Sequence, residues 1–203
     1  TFVSCFGYIA FARMVSGMGT TIFAAHSIAI TAEQIVYIPG YGLRVATSTL
    51  VGNALGEKDI RKLKATERVS ILITLLIMVV NGIGLYLFAY PFMRLFTNSV
   101  NAARIGSEML RLVSFSEPFF GLMIVLEGIS YGMGRTKHVF ACEAVSMWGI
   151  RIFGTFLCVN VFGLGLKAVW LCMIADNICK AILLYIFRPK HVEENADDRG
   201  ALR

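Results

Sequence analysis

The sequence predicts an all-α, polytopic membrane protein: a bundle of six spanning helices followed by a polar tail. Three observations carry that expectation. The 203 residues are 57% hydrophobic and only 16% charged, with a mean hydropathy of +0.70; that balance suits a chain whose surface faces lipid rather than water. Apolar runs long enough to cross a hydrocarbon layer of about 30 Å recur along the chain, separated by glycine-rich or charged turns. Lys and Arg crowd alternate turns, as they do where one side of a membrane retains the basic residues.

The first run, residues 2–18, is long enough to span if slightly tilted. Arg13, near its far end, is expected to snorkel to the outer interface. Ser16, Gly17 and Gly19 then turn the chain into the second span, residues 22–51. This is the most unusual stretch of the sequence, reading AAHSIAITAEQIVYIPGYGLRVATSTLVGNALG from Ala24 to Gly56. On a helix of about 3.6 residues per turn, His26, Glu33, Tyr37 and Arg44 fall near one face, while Ile28, Ile35 and Val36 lie elsewhere. Ionisable residues kept inside a hydrophobic span point to an ion or ligand pathway. Pro39, beside Gly40 and Gly42, removes an intrahelical hydrogen bond and is expected to bend the helix between Glu33 and Arg44.

Between Gly52 and Arg68 the chain turns basic, with Lys58, Arg61, Lys62, Lys64 and Arg68 among only three acids. A short amphipathic helix on the inner surface is expected there. The third span, 69–91, is plain apart from Asn81, Gly82 and Gly84, small residues that let a neighbouring helix approach closely. Arg94 to Ser107 reads as an outer loop with a turn at Asn98-Ser99. The fourth span, 109–133, holds Glu117-Pro118 near mid-depth, where Pro118 predicts a local break, and Glu127 nearer the inside. A carboxylate at the bilayer centre costs about 2.5–3.5 kcal/mol, so each of these acids should face a cavity, carry a proton or be paired.

The fifth span, 139–162, carries Arg151 at a depth that demands a partner. Glu143, eight residues earlier, is too far for a contact of i,i+4 type, so the partner is expected on another helix, at Asp176 or Glu117. In the last span, 168–187, Val169-Trp170 marks the outer boundary, and Asp176 and Lys180 are four residues apart and can neutralise each other. From Arg188 onward the polar, aperiodic sequence predicts a disordered cytoplasmic tail. The proposed inner segments hold nine Lys and Arg residues, from Lys58 to Lys190, against Arg94, Arg104 and Lys167 outside. Both chain ends are therefore expected on the cytoplasmic face.

Other functions find little support. The net charge of +6 is accounted for by topology, and no aromatic-and-basic motif points to nucleic acid. The five cysteines stand singly in apolar runs and read as small packing residues. His138, in an expected loop, and His191, in the tail, read as solvated, with no metal-ligand spacing. Gly40-x-Gly42 lacks the third glycine and strand context of a dinucleotide loop. No nucleophile-and-base or metal set supports an intramembrane enzyme, and no cofactor is expected. Thr1 leads straight into an apolar run without the basic start of a signal peptide, so the chain is expected to be a piece of something longer.

Several motifs together resemble the bacterial multidrug and toxic compound extrusion (MATE) transporters. The Ala24-Ala25-His26 start, Glu33, the Pro39-Gly40-Tyr41-Gly42 bend and the Leu50-Val51-Gly52-Asn53-Ala54-Leu55-Gly56 close are similar to the family's eighth helix. Glu117-Pro118-Phe119-Phe120, and Leu126-Glu127-Gly128 leading to Gly132-Met133-Gly134-Arg135-Thr136-Lys137, resemble its tenth helix and the cytoplasmic turn after it. Where many members carry Leu-Arg-Gly before that turn, this chain has Ser130-Tyr131-Gly132. Met147-Trp148-Gly149-Ile150-Arg151 and the spacing of Asp176 and Lys180 continue the likeness.

The resemblance covers nearly the whole chain, as the second six-helix lobe of a twelve-helix transporter. It implies an antiporter that expels organic, often cationic, compounds in exchange for protons or sodium. Its partners would be membrane lipid, an N-terminal six-helix lobe and small organic cations. By that analogy Glu33 and Glu117 lead as candidates for the cation and coupling-ion cavity, followed by Glu127, His26 and Arg44; Arg151, Asp176 and Lys180 are expected to be structural charge pairs. Glu33 lies about 15 Å in from the outer turn, near the bilayer centre, and its alternative role is a structural carboxyl bonded to Tyr37 or Ser27. Alternative functions are a lipid-linked oligosaccharide flippase of the same superfamily, expected to have a more basic cavity, and a half that serves only in packing.

Overall fold

The computed structural model describes residues 2–187, with side chains from Phe6 onward; the expected tail with Arg188, Lys190 and His191 lies outside the described residues. All regular structure among them is helical. The order is α1 (Phe2–Ser16), α2 (Thr20–Gly56), α3 (Ile60–Phe96), α4 (Val100–Ser114), α5 (Glu117–Gly132), α6 (Thr136–Ser146), α7 (Phe153–Phe156) and α8 (Leu166–Ile186). π-helical turns at Met147–Ile152 and Leu157–Val161 join α6 to α7 and extend α7, so that one 26-residue rod runs from Thr136 to Val161. Four helices are long and apolar enough to cross a membrane, or five if the bent pair α4–α5 counts as one span. Of the six expected spans, the remaining one is α1, whose 15 residues reach only about 22 Å at 1.5 Å per residue.

Several expected boundaries move. The stretch Gly52 to Arg68 does not form a separate surface helix. After a turn at Glu57–Asp59, which holds Lys58 and whose Asp59 side chain accepts from the Lys62 amide at 3.0 Å, the other basic residues enter the first turns of the 37-residue α3. A good N-cap starts a helix that nothing interrupts before the lipid-facing run.

The expected outer loop is also mostly helix. α3 continues to Phe96, and Ser99 then caps α4 by accepting from the Ala102 amide. Ala102, Ala103, Gly106, Met109, Leu110 and Val113 recur at helical spacing and are buried together, an amphipathic stripe among charged residues that does not read as a span by itself. The break expected near Pro118 is a 60° bend between α4 and α5. Pro118 sits in the first turn of α5, where a missing amide proton costs nothing.

Pro39 lies inside an unbroken α2. It deprives the Ile35 carbonyl of its helical donor, and at the next carbonyl Asn81 of α3 donates to Val36 at 3.2 Å. Gly19 opens α2 at φ 109°, a conformation that glycine adopts without steric cost. α2 is the central element, packed against α3, α4 and α5. Glycines set the closest approaches: a Cβ on Gly128 or Gly132 of α5 would meet the backbone oxygens of Arg44 or Ser48 at 2.7 and 2.6 Å, and one on Gly82 would meet that of Ser114 at 2.7 Å.

The interior has three layers. One apolar cluster joins Ala29 and Ala32 of α2, Leu85 to Met93 of α3 and Leu166 to Met173 of α8. A second joins Tyr37 to Ala54, Leu63 to Met78, and Ala181 with Leu184. Between them, on the same helices, lie the buried Glu33, Glu117, Asp176, Asn177 and Lys180. Trp170, early in α8, is fully buried in the first cluster.

Candidate substrate and ion cavity

α2 presents Glu33 and Tyr37 one turn apart on its buried face, and the Tyr37 hydroxyl donates to Glu33 Oε1. Of the two partners expected for Glu33, Tyr37 is the one it meets; the Ser27 carbonyl is instead bonded by Thr31. The Tyr37 ring stacks on Phe120 of α5 with centroids 3.7 Å apart, which fixes the hydroxyl's direction. Two turns further on, Arg44 Nη1 donates to Glu127 Oε2 of α5 at 3.0 Å, and its guanidinium lies over Tyr41 and Tyr131. Tyr131 is thus a platform for an arginine from α2.

On the opposite wall, the buried Asp176 of α8 is held from three sides. Ser146 Oγ donates to its Oδ1, Lys180 Nζ donates to Oδ2 at 2.9 Å, and Arg151 Nε lies 3.7 Å from the same Oδ2. Arg151 therefore meets Asp176 rather than Glu117. It stands on the first π-helical turn, with Tyr8 and Phe11 of α1 against its guanidinium.

These groups surround a cavity of about 260 Å³. Glu33, Glu127, Arg44, Arg151 and Lys180 line it, as do Tyr37, Phe120, Glu143 and Asn177. Two expected site residues do not. His26 is buried away from the cavity and accepts from Trp170 Nε1 at 3.2 Å, beside the Phe11 ring. Its place on the polar stripe of α2 is correct, but it points into the apolar cluster beyond Glu33, where it links α2 to α8.

Glu117 is fully buried in the first turn of α5 and lies outside the lining. Neither of its carboxyl oxygens has a hydrogen-bond partner among the described residues, and it lies one turn before Phe120, the ring on which Tyr37 stacks.

Glu143 and Asn177 were missed as lining residues. Asn177 follows Asp176 and shares a helical face with Met173 and Lys180, which is a legible signal; Glu143 enters the sequence reading only as too distant along the helix to pair with Arg151. With Glu143 present and Glu117 absent, the lining carries three carboxyls and three cations. His138, expected to be solvated in a loop, is half-buried in the first turn of α6, with its Nδ1 3.6 Å from Cys142 Sγ and its ring against Phe187. Cys158 and Cys172, distant in sequence, bring their sulfurs to 3.8 Å. Among the described residues no His, Cys, Asp and Glu cluster could hold a metal ion.

The MatE family model matches residues 1–157. The chain belongs to the MATE family. It is 30% identical over 188 residues to a probable multidrug resistance protein NorM from Thermotoga maritima, a match covering 92% of this chain and 40% of that protein. A probable NorM of Photorhabdus laumondii is 28% identical, over 83% of this chain and 38% of its own.

Solved MATE structures share the fold. The eukaryotic transporter AtDTX14 superposes with TM-score 0.83 at 21% identity, covering 97% of this chain and 46% of that one. An outward-facing MATE transporter gives 0.85 at 18% identity, over 95% and 44%. The chain thus spans about two fifths of the length of the curated relatives it matches. It is a multi-pass membrane chain of a transporter family, not of an enzyme family.

Proposed function

We propose that this chain is the C-terminal half of a MATE antiporter that exports organic, cationic drugs or metabolites in exchange for protons or sodium. On this reading it acts with an N-terminal six-helix lobe in the cell membrane, surrounded by lipid and with its C-terminus in the cytoplasm. The observation that carries the proposal is the Glu33–Tyr37 pair on the wall of a cavity at the polar layer of the bundle. A carboxyl held there can accept a cation in its charged form and a proton in its neutral form. One such group could release its proton as the organic cation or sodium binds and take it back when that ion leaves. Glu117, close by and without a hydrogen-bond partner, is the second candidate for the same proton; Glu127, already paired with Arg44, belongs to the cavity's far end.

The test is Glu33→Gln in the full-length transporter. The amide keeps the size and can still accept from Tyr37, but it cannot change charge. Normal expression with efflux reduced to background, or no longer dependent on the ion gradient, is the expected result. Full gradient-driven efflux from the variant would remove Glu33 from the coupling step.

A further inference from the structure

The cavity wall shared by α8 and the Thr136–Val161 rod holds a cationic side chain whose hydrogen-bonding capacity the chain does not fill. Arg151 lines the cavity and is only 8% exposed; its Nε, enclosed on the Asp176 side, has no hydrogen-bond partner among the described residues, and the rest of the guanidinium is what the cavity can reach. Its nearest acid, Asp176, is already engaged by Ser146 at one oxygen and by Lys180 at the other. The 3.7 Å from Nε to that second oxygen is too long for a hydrogen bond.

Asn177, 9% exposed, brings its side-chain amide to the same lining. Buried donors left unpaired are costly, and a guanidinium edge is shaped to take both oxygens of a carboxylate at once. The acids elsewhere in the cavity have other engagements: Glu33 accepts from Tyr37, Glu127 accepts from Arg44, and Glu143 is two turns from Arg151 on its own rod.

We propose that Arg151 and Asn177 form an anion-accepting subsite that grips the acidic group of a zwitterionic substrate. The ligand's cationic centre lies toward Glu33 on the α2 wall, and its carboxylate meets the Arg151 edge. The balanced lining, three carboxyls and three cations, suits a ligand carrying both signs better than a simple cation. Tyr8 and Phe11, whose ring centroids lie 5.8 and 5.4 Å from the guanidinium carbon, shield the subsite and supply flat surfaces for an aromatic ligand. The proposal deepens the transport reading and rests on it.

The test is equilibrium binding to purified full-length protein, read by fluorescence polarisation. Its two probes are rhodamine B, which carries a delocalised cation and a free carboxylate, and the ethyl ester of the same dye. Arg151→Gln should weaken binding of the acid by roughly ten- to a hundredfold and leave the ester within about twofold. Arg151→Lys, which keeps the charge but not the two-pronged edge, should also discriminate against the acid, by a smaller factor. Ester binding by the same preparations shows that each variant is folded. Equal losses for both dyes in both variants, no loss of the acid in Arg151→Gln, or a wild-type protein that does not bind the acid would each overturn the proposal. Because binding needs no gradient, a protein that binds both dyes but exports neither counts against the transport reading alone.

Discussion

Asp176 is the carboxylate on which two buried cations depend, and their distances rank them. Lys180 is bonded at 2.9 Å, whereas Arg151 is held at 3.7 Å and also rests on aromatic rings. Asp176→Asn should therefore leave Lys180 without a counter-charge and lower the stability of the lobe by about 3–5 kcal/mol. Adding Lys180→Met should recover part of that loss. Thermal unfolding of the detergent-solubilised transporter reads both, and a double variant no better than the single one would show that the pair is not coupled.

At this scale much was legible. Glu33, Tyr37 and Arg44 share a face by simple periodicity, and the Asp176–Lys180 spacing predicts its own bond. What periodicity could not give is depth and direction. His26 shares the stripe with Glu33 but lies two turns toward the apolar layer, where Trp170 takes it up. Glu117 sits at a helix start that faces the interior rather than the cavity.

Among the elements, the α2–α5 contact decides whether Arg44 can reach Glu127 at all. Gly128 and Gly132 bring α5 against the backbone of α2, and a backbone atom cannot swing aside as a side chain can. Gly132→Val should separate the helices at a cost of about 1–3 kcal/mol and weaken the Arg44–Glu127 pair. Gly84→Ala is the matched control, since a Cβ there meets nothing within 4 Å; equal thermal stability of the two variants would contradict the packing. Gly82 and Gly84 look alike in sequence, and only the bend that carries Ser114 past α3 tells them apart. The same limit explains α4, where charged residues alternate with a buried face that mixes alanine, glycine and serine with Met109, Leu110 and Val113. Hydropathy finds the spans that face lipid and undercounts those that face protein.

Across the whole molecule, contacts between distant segments sort the turns into two ends. A Cβ on Gly52 would touch the Gly132 carbonyl, and His138 packs on Phe187. The α2–α3 turn, the α5–α6 turn and the end of α8 therefore share one end. Lys167 pairs with Glu108 at 3.1 Å, which gathers the start of α8 with α4 at the other. The first end carries Lys58, Arg61, Lys62, Lys64, Arg68, Arg135 and Lys137, and the second carries Arg13, Arg94, Arg104 and Lys167. Retention of basic residues on the cytoplasmic side then predicts that the first end is inside.

α3, at 37 residues, holds the two ends about 55 Å apart, so its flanking turns make clean reporters. Lys58 and Asn98 are both exposed, and Asn98 is the better choice over Ser99, whose hydroxyl caps α4. In a full-length background whose native cysteines have been replaced and whose efflux is retained, Asn98→Cys should react with an impermeant maleimide in intact cells. Lys58→Cys should react only after the membrane is opened. Labelling of both from the same side would refute the crossing of α3, and the reverse pattern would invert the lobe and with it the proposed direction of export.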